Sequence, residues 1–317
     1  MVTGLLAGVF WALDTVIIGI ALARTEFVST ELAIFLSPFV STFVHDTFSS
    51  IWMLIYMGIK KQYKNVIRAA KTKSGKFIML GALISGPIGM SGYVAAIKYI
   101  GPAYTAIISS MFPAVGALLA YIFLKEKMTP LQLLGLAVSI GGVIVLGYAP
   151  GGPAGTNMLL GFVCAIIACL GWAAEAVICA YGLKDPNITD EQALQIRQLT
   201  SASFYGIVII TALKGWSFTL DLIPTKTTVI ILLAALFGTA SYLCYYRAIV
   251  KIGASKSMAL NITYSAWAIV FALVFLKTLP DAKSIICGFI IVAGSIIAAA
   301  DLKEFFGKKE ATPTLVE

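Results

Sequence analysis

Ten apolar stretches restrict what this 317-residue chain can fold into. Each is close to the length of about 20 residues that a helix needs to cross a lipid bilayer. Apolar residues make up 59% of the sequence and charged residues only 12%, which excludes a soluble globular composition. The sequence therefore predicts an all-α polytopic membrane protein with ten transmembrane helices. The predicted spans are Val2–Ala23, Leu32–Ile59, Phe77–Tyr99, Ala103–Leu124, Leu131–Tyr148, Met158–Leu183, Ala193–Leu213, Val229–Val250, Ser255–Leu276 and Ile285–Ala300.

Positive charge is distributed unevenly among the loops between these spans. If Met1 is cytoplasmic, most of the 23 lysines and arginines fall in inner loops and helix ends, including the basic run from Lys60 to Lys76. The positive-inside rule then predicts that both termini are cytoplasmic, with a cytoplasmic tail at 302–317. The net charge of +8 is therefore interpreted as a topology signal and not as a nucleic-acid footprint. For the basic run itself, a site for a partner or for anionic lipid is the alternative.

Motifs for covalent chemistry are missing from the sequence. It has no nucleophile elbow, HExxH zinc motif or phosphate-binding loop, so an intramembrane enzyme is the weaker class and no cofactor or metal is expected. The five cysteines all fall within predicted spans, so no disulfide framework or metal-ligand spacing follows. The apolar N-terminus has no basic leader or cleavage site, and we interpret it as the first helix and not as a removable signal.

The two halves of the chain resemble each other. A Gly- and Pro-rich break at Ala149–Asn157 divides the spans into units 1–149 and 150–301, and residues 93–124 align without a gap on 245–276 with nine identities. A repeat with an odd number of spans must insert its second copy upside down, so the sequence predicts two inverted five-helix repeats. Inverted repeats around a midplane site are a transporter architecture, in which the halves exchange conformations to give alternating access.

A carboxylate interrupts the sixth predicted span. Glu175 lies in GWAAEAVICAY, and a charge near the bilayer centre costs about 2.5–3.5 kcal/mol on insertion scales, so it normally faces a cavity or a partner. Trp172 lies one helical turn earlier, on the same face. An aromatic ring beside a carboxylate suits a cation whose charge is spread over methyl groups. Trp11 and Asp14 repeat this spacing in the first span.

The second half supplies further aromatic side chains for such a site. Three tyrosines in SYLCYYRAI share one face of the eighth span, and residues of NITYSAWAI follow the ninth span in steps of three. We expect these faces to complete an aromatic cage for a cation; the alternative is that they belong to the helix core or the lipid interface. The candidate binding residues on them are Tyr242, Tyr245, Tyr246, Asn261 and Trp267.

The pair His45-Asp46 lies in the middle of the second span, and His45 is the only histidine. Adjacent residues on a helix point about 100° apart, so at most one of them needs to face a cavity. Two interpretations stay open for His45: a buried ring bonded to a backbone carbonyl, or a protonatable gate or partner for a substrate hydroxyl. Together with Asp14, the pair provides the candidates for proton coupling or gating.

Four further charged residues of the second half have predicted positions or partners. Arg197, at the start of the seventh span, can pair with an acid of the same half. Arg247 and Lys256 are expected near the inner surface, with their long side chains reaching toward water. Asp190 is a plausible N-cap for the helix that follows it.

Glycine and proline indicate where the helices are irregular or closely packed. Ser85–Gly92, SGPIGMSG, falls in the middle of the third span, where freed backbone groups must face protein or a water-filled cavity. Phe112-Pro113 has the same effect in the fourth span, while Gly141-Gly142 and the Gly/Ala-rich tenth helix allow close helix packing. Packing alone and a gating hinge are the two interpretations of these glycines.

Seven stretches running through nearly all of the chain resemble the drug/metabolite transporter superfamily, and more closely its bacterial choline permeases that feed phosphocholine decoration of cell-surface polymers. The resemblance implies ten helices in two inverted repeats. It also implies a central site of aromatic rings and one glutamate, which map onto Trp11, Trp172, Glu175 and the eighth-helix tyrosines. Asp14 departs from the pattern, where a small residue is expected. The stretches are FWALDTVI, VHDTFS, SGPIGM with YVAAIKYIG, GWAAEAVI, ALQIRQLTS, SYLCYYRAI and NITYSAWAIVFA.

These observations together predict a secondary transporter. The expected substrate is choline or a related quaternary ammonium compound, imported across the bacterial plasma membrane, with membrane lipids as the other partner. The membrane potential favours this import even by uniport, and proton symport would add to it. The alternative is an exporter of amino acids or amphipathic drugs, the commoner function in the superfamily.

Overall fold

The computed structural model describes residues 2–123, 129–147, 157–183, 185, 187–252 and 254–299. The predicted tail at 302–317 and most of the predicted break between the halves lie outside these residues. Every regular element in the described ranges is helical, which confirms the all-α prediction. The helices of the first half are α1 (Val2–Leu22), α2 (Thr25–Val28), α3 (Glu31–Ile59), α4 (Tyr63–Ala70), α5 (Lys73–Leu83), α6 (Ser91–Ser109), α7 (Phe112–Phe123) and α8 (Pro130–Gly147). Those of the second half are α9 (Met158–Gly182), α10 (Asp190–Phe204), α11 (Trp216–Leu222), α12 (Lys226–Ile252), α13 (Ala254–Asn261), α14 (Tyr264–Phe271) and α15 (Ala282–Ala299).

Several of these helices are long and apolar enough to cross a membrane, as a polytopic membrane protein requires. In the described part of the chain there are five such stretches, and two shorter apolar helices lie at Pro130–Val145 and Ala282–Ala298. The count of ten spans and their inverted arrangement stay predictions. The five stretches are Val2–Leu22, Lys73–Ser109, Met158–Gly182, Lys226–Ile252 and Ser257–Leu276.

The third predicted span is irregular where its glycines and proline predict it to be. α5 continues into a π-helical segment, Ile84–Met90, which contains Pro87 and leads directly into α6. Pro87 has no N–H to donate, and the wider π turn accommodates the freed backbone groups. Gly89 lets α9 approach this segment: a Cβ added to Gly171 of α9 would lie 3.0 Å from the Cα of Gly89.

The helices break at corresponding points of the two aligned stretches. Gly101 has a φ of +78°, and with Pro102 it kinks α6, because only glycine adopts this conformation at little cost. The chain then interrupts its helix before α7, which begins at Phe112. In the gapless alignment Phe112 corresponds to Tyr264, and Tyr264 begins α14 after an equivalent interruption.

Helices α8 and α15 pack closely along each other through glycines. A Cβ added to Gly142 would lie 2.8 Å from Ile291, and one added to Gly294 would lie 2.7 Å from the amide nitrogen of Ser139. The predicted close packing is therefore confirmed for Gly142 and the tenth apolar helix, whereas Gly141 faces open space.

The N-terminal end of α10, at Asp190, lies in a network of charged side chains. Arg247 donates to Asp190 at 3.2 Å and to Glu191 at 2.6 Å, and Glu191 also accepts a hydrogen bond from Lys60 at 2.6 Å and from Tyr56 at 2.7 Å. Arg247 is thus ion-paired, and its side chain remains 36% exposed. Burial opposes ionisation of Glu191, but the hydrogen bonds from Lys60, Tyr56 and Arg247 outweigh it and hold the pKa of Glu191 below its ordinary value.

The start of α10 is capped by Thr189 and not by Asp190, so the predicted cap is wrong. The Thr189 hydroxyl accepts from the amide of Gln192, and the Gln192 side chain accepts from the amide of Thr189. This reciprocal pair is a capping box, which leaves Asp190 inside the first turn and free to meet Arg247. The side chain of Lys256 lies outside the described ones.

Candidate functional site: a cavity between the two halves of the chain

The predicted binding residues of the two halves, except Trp267, meet at a partly enclosed cavity of about 40 Å³. Side chains of α1, α7, α9, α12, α13 and α14 form its wall. Most of that wall is aromatic, and a single carboxylate and a few polar groups interrupt it. The lining residues are Trp11, Phe112, Trp172, Glu175, Ala176, Cys179, Ser241, Tyr242, Tyr245, Tyr246, Ile249, Asn261 and Tyr264.

Trp11 and Trp172 each lie three residues before a carboxylate, and their rings contact each other in the cavity wall. The rings of Trp11 on α1 and Trp172 on α9 lie 5.3 Å apart, edge to face, and Tyr242 of α12 meets Trp11 at 5.5 Å in the same manner. Tyr93 lies behind both indoles, 4.6 Å from Trp172 and 5.8 Å from Trp11, and its hydroxyl is 2.8 Å from that of Thr15. The rings are therefore held in fixed orientations by one another.

Glu175 lines the cavity, but its charge is already paired. Oε1 of Glu175 accepts hydrogen bonds from Nε of Arg197 at 2.7 Å and from the hydroxyl of Tyr246 at 3.1 Å. Glu175 is 5% exposed and Arg197 is 2% exposed, so this is a buried ion pair. The prediction that Arg197 pairs with an acid of its own half is confirmed.

Both terminal nitrogens of Arg197 also donate hydrogen bonds. Nη2 donates to the hydroxyl of Tyr242 at 2.7 Å and to Ser85 at 3.2 Å, while Nη1 donates to Gln198 at 2.8 Å. The guanidinium carbon lies 3.9 Å from the centre of the Tyr242 ring, a cation–π contact. Ser85 belongs to the π-helical segment, so that irregular stretch contributes a ligand to the arginine.

Three polar atoms of the cavity residues are buried without a hydrogen-bond partner among the described residues. They are Nε1 of Trp172, the hydroxyl of Tyr245 and Oδ1 of Asn261. Buried polar groups are normally hydrogen-bonded, because an unmade bond costs the desolvation of the group. One donor, one hydroxyl and one acceptor thus belong to the same cavity, which suits an occupant with a polar group.

Asp14, His45 and Asp46 form a second buried cluster that lines no part of this cavity. Nε2 of His45 lies 3.1 Å from Asp14 and Nδ1 lies 3.2 Å from Asp46, so the ring joins two carboxylates. The hydroxyl of Ser201 on α10 donates to the other oxygen of Asp46. The histidine therefore has carboxylate partners on both sides and not the backbone carbonyl of the simpler interpretation.

The structure brings together all but one of the predicted binding residues. Trp267 is 41% exposed, does not line the cavity, and stacks on Phe271. The step-of-three face holds for Asn261 and Tyr264, which both line the cavity, and it ends before Trp267, which lies one turn further along α14 and outside the cavity wall. The residues that do line the cavity are Trp11, Trp172, Glu175, Tyr242, Tyr245, Tyr246 and Asn261.

Sequence reasoning missed Phe112 as a lining residue and Tyr93 as a support for the indole rings. A signal for Phe112 was present, because it occupies the position equivalent to Tyr264, which lies on the step-of-three face of the ninth span. Tyr93 is equivalent to Tyr245 in the same alignment. Residues that correspond between the halves thus recur around one cavity, as Trp11 and Trp172 do.

The sequence profile of the EamA-like transporter family matches residues 1–148 and 159–300. The chain belongs to the EamA-like transporter family. This confirms the resemblance to the drug/metabolite transporter superfamily. The protein is accordingly a multi-pass membrane transporter and not an enzyme.

Individual relatives agree with this assignment. Protein LicB of Haemophilus influenzae is 33% identical over 297 residues, which cover 93% of this chain and 95% of LicB. An uncharacterized transporter of Clostridium kluyveri is 22% identical over 75% of this chain and 76% of its own length. Crt homolog 2 of Dictyostelium discoideum is 31% identical over 146 residues, which cover 44% of this chain and 29% of that protein.

The fold also has a counterpart among solved structures. One crystal structure of a protein superposes with a TM-score of 0.57 at 17% sequence identity, covering 94% of this chain and 95% of that chain. At this identity the likeness concerns the fold alone.

Proposed function

We propose that this transporter imports choline or a related quaternary ammonium compound by alternating access. The observation that carries the proposal is the cavity itself, whose wall combines the rings of Trp11, Trp172 and Tyr242 with the carboxylate of Glu175. A quaternary ammonium cannot donate hydrogen bonds, so its recognition depends on aromatic faces and on a negative charge. Each aromatic face contributes about 0.5–2 kcal/mol in a desolvated site. The resemblance of the sequence to choline permeases supports the same substrate class.

The hydroxyl of choline has partners in the cavity wall. Asn261 supplies an acceptor and Tyr245 a hydroxyl, and neither has a partner among the described residues. His45 was the other candidate, but it lies in the cluster with Asp14 and Asp46, away from the cavity wall. We therefore assign hydroxyl recognition to Asn261 and Tyr245.

Alternating access follows from the proposed arrangement of two inverted five-helix repeats, 1–149 and 150–301. The two ranges that match the family profile support this division. The helix breaks before Phe112 and Tyr264 and the contact between Trp11 and Trp172 support the repeat, since equivalent residues meet where the halves meet. A site between inverted repeats can open to either side of the membrane.

The driving force is the membrane potential of a bacterial plasma membrane, with both termini cytoplasmic. Moving one positive charge inward gains about 2.3 kcal/mol per 100 mV. Asp14, His45 and Asp46 are the proposed site of proton coupling or gating, because they form a titratable cluster held between α1, α3 and α10. A proton carried inward with choline would add to the electrical force.

Binding of choline to purified protein tests the substrate. We expect wild type to bind choline and Glu175→Gln to lose the binding, because glutamine keeps the shape of the side chain and removes the charge. Glu31→Gln is the matched control, since Glu31 is exposed at the start of α3. Calorimetry with choline, betaine and lysine gives the comparison. Equal binding by wild type and Glu175→Gln would reject the proposal.

A second candidate is an exporter of amino acids, and the ion pair of Glu175 with Arg197 favours it. Beside a cavity, a carboxylate and a guanidinium complement the two charges of a zwitterion. This transporter would bind lysine or another amino acid, and choline would fail to compete. The same calorimetry therefore separates the two candidates.

A further inference from the structure

Arg197 already contacts the two groups that the proposed function assigns to the binding of a substrate cation. Glu175 and Tyr242 both line the cavity, and the guanidinium contacts the carboxylate of the first and the ring of the second. A carboxylate plus an aromatic face is the environment that an organic cation requires. The side chain of Arg197 thus satisfies the site in the way that a bound ammonium would.

Their positive charges make it unfavourable for Arg197 and a substrate cation to lie beside Glu175 at the same time. Glu175 and Arg197 are buried and together neutral. If Arg197 stayed in place, an entering cation would add an uncompensated positive charge next to the guanidinium, and a buried charge without a partner is strongly destabilising. If Arg197 releases Glu175, the entering cation receives the carboxylate and the neutral pair is restored.

We propose that Arg197 is a resident counter-ion of Glu175, which a substrate cation displaces on binding and which returns when the substrate leaves. This inference rests on the proposed function, because it concerns the same cavity and the same class of substrate. It assigns to Arg197 a competitive role that neither the family membership nor the cage residues imply.

The surroundings of Arg197 offer a second set of partners. Ser85 of the π-helical segment and Gln198 already accept hydrogen bonds from its terminal nitrogens and remain available if Nε leaves Glu175. One turn further along α10, Ser201 donates to Asp46, so a second carboxylate lies on this side of the helix. The guanidinium therefore has acceptors and a negative charge away from the cavity.

A resident counter-ion would serve the return step of the transport cycle. After release of the substrate, a carrier with an unpaired Glu175 would have to change conformation with a buried charge. Arg197 neutralises Glu175 in that empty state, so the empty carrier can reorient. Loss of Arg197 should therefore impair net uptake, which needs the empty return, more than exchange, in which the carrier is loaded in both directions.

Calorimetric titration with choline tests the competition. Removal of a competitor should tighten choline binding by Arg197→Gln about fivefold or more, within the usual range of coupling between two sites. The gain must vanish in Glu175→Gln/Arg197→Gln, whose binding should equal that of Glu175→Gln alone. A gain that persists without Glu175 would indicate simple charge repulsion and overturn the proposal, as would weaker binding by Arg197→Gln.

Proteoliposomes loaded with choline or with buffer test the return step. We expect the ratio of choline exchange to net choline uptake to rise about tenfold in Arg197→Gln, which corresponds to a barrier for the empty return that is higher by about 1.4 kcal/mol. Arg247→Gln is the matched control, because it removes an ion-paired arginine of α12 that lines no part of the cavity. Equal losses of exchange and net uptake in Arg197→Gln would overturn the proposal.

Removing Arg197 leaves a buried carboxylate unpaired, so Arg197→Gln can be unstable. Choline should then raise its melting temperature more than that of wild type, because the ligand replaces the missing cation. Arg197→Lys provides a second route: it keeps the charge but loses the planar contact with Tyr242, so it should bind choline more tightly than wild type. Binding by Arg197→Lys that is no tighter than wild type would count against the proposal.

The outcomes separate this inference from the proposed function. If wild type does not bind choline, the proposed function fails and the inference fails with it. If wild type binds choline and Glu175→Gln does not, but the Arg197 variants show neither tighter binding nor a changed ratio, the inference alone fails.

Discussion

Under the proposed function, Asn261 determines whether the cavity recognises more than the positive charge of its substrate. Its Oδ1 is buried and has no partner among the described residues, so it is available to accept from a substrate hydroxyl. A hydrogen bond of this kind contributes about 0.5–1.5 kcal/mol. Choline and tetramethylammonium carry the same charge, and only choline has a hydroxyl, so a comparison of the two isolates this bond.

Asn261→Ala should weaken choline binding about three- to tenfold and leave tetramethylammonium binding nearly unchanged, since the variant removes only the hydroxyl acceptor. Competition binding with both ligands measures the difference. The exposed Asn65→Ala variant, at a position on α4, serves as the control. If both ligands were weakened equally, Asn261 would shape the cavity and not recognise the hydroxyl.

The sequence predicts residue types at the site better than it predicts their partners. Hydropathy alone marks Glu175 as a residue that needs compensation, and the one-turn spacing predicts Trp172 beside it. The partner of Glu175 depends on how α9 packs against α10, and no local pattern specifies which donor of Arg197 reaches it. Tyr93 escapes notice for the same reason, because its role is to contact Trp11 and Trp172 from another helix.

At the scale of elements, α1 and the turn between α13 and α14 are fitted closely together. A Cβ added to Gly8 of α1 would lie 2.8 Å from the carbonyl oxygen of Asn261 and 3.1 Å from the amide nitrogen of Tyr264. Backbone atoms cannot rotate away as a flexible side chain can. The position of Asn261 and Tyr264 in the cavity wall therefore depends on the absence of a side chain at Gly8.

Gly8→Ala should lower the stability of the protein by about 1–3 kcal/mol, the usual cost of overpacking. It should also weaken choline binding, because the turn carries two cavity residues. Gly141→Ala is the matched control, as Gly141 lies within a helix and faces open space. Thermal unfolding and choline titration of both variants give the readout. Equal behaviour of the two variants would show that the turn tolerates displacement.

The helices and their irregular segments can be predicted from sequence where a single local rule determines the backbone conformation. Apolar stretches predict the helices, and SGPIGMSG predicts the irregular segment at Ile84–Met90 because glycine and proline act locally on the backbone. The stripe of Asn261 and Tyr264 does not extend to Trp267 in the cavity wall, because periodicity predicts the face of a helix and not the point along the helix where a cavity ends. The cap at Thr189 shows the same limit, since Thr189 and Asp190 are both favourable caps and geometry selects between them.

At the scale of the whole molecule, the buried charged residues that the structure describes form two clusters at different positions. The pair of Glu175 and Arg197 adjoins the cavity, while Asp14, His45 and Asp46 form a cluster outside its wall. Helix α10 contributes to both, through Arg197 and through Ser201 one turn later. A movement of this helix would therefore affect both clusters, which gives the proposed proton coupling or gating by Asp14, His45 and Asp46 a physical route to the cavity.

Accumulation of choline by proteoliposomes under an inside-negative potassium diffusion potential tests the central claim most directly. A carrier that moves choline with its charge should concentrate it about fiftyfold at 100 mV. At this potential each charge gains about 2.3 kcal/mol, and a tenfold concentration ratio corresponds to about 1.4 kcal/mol. Glu175→Gln vesicles should not accumulate choline. If choline does not enter wild-type vesicles, or if its entry is indifferent to the potential, the account of an electrically driven choline importer is contradicted.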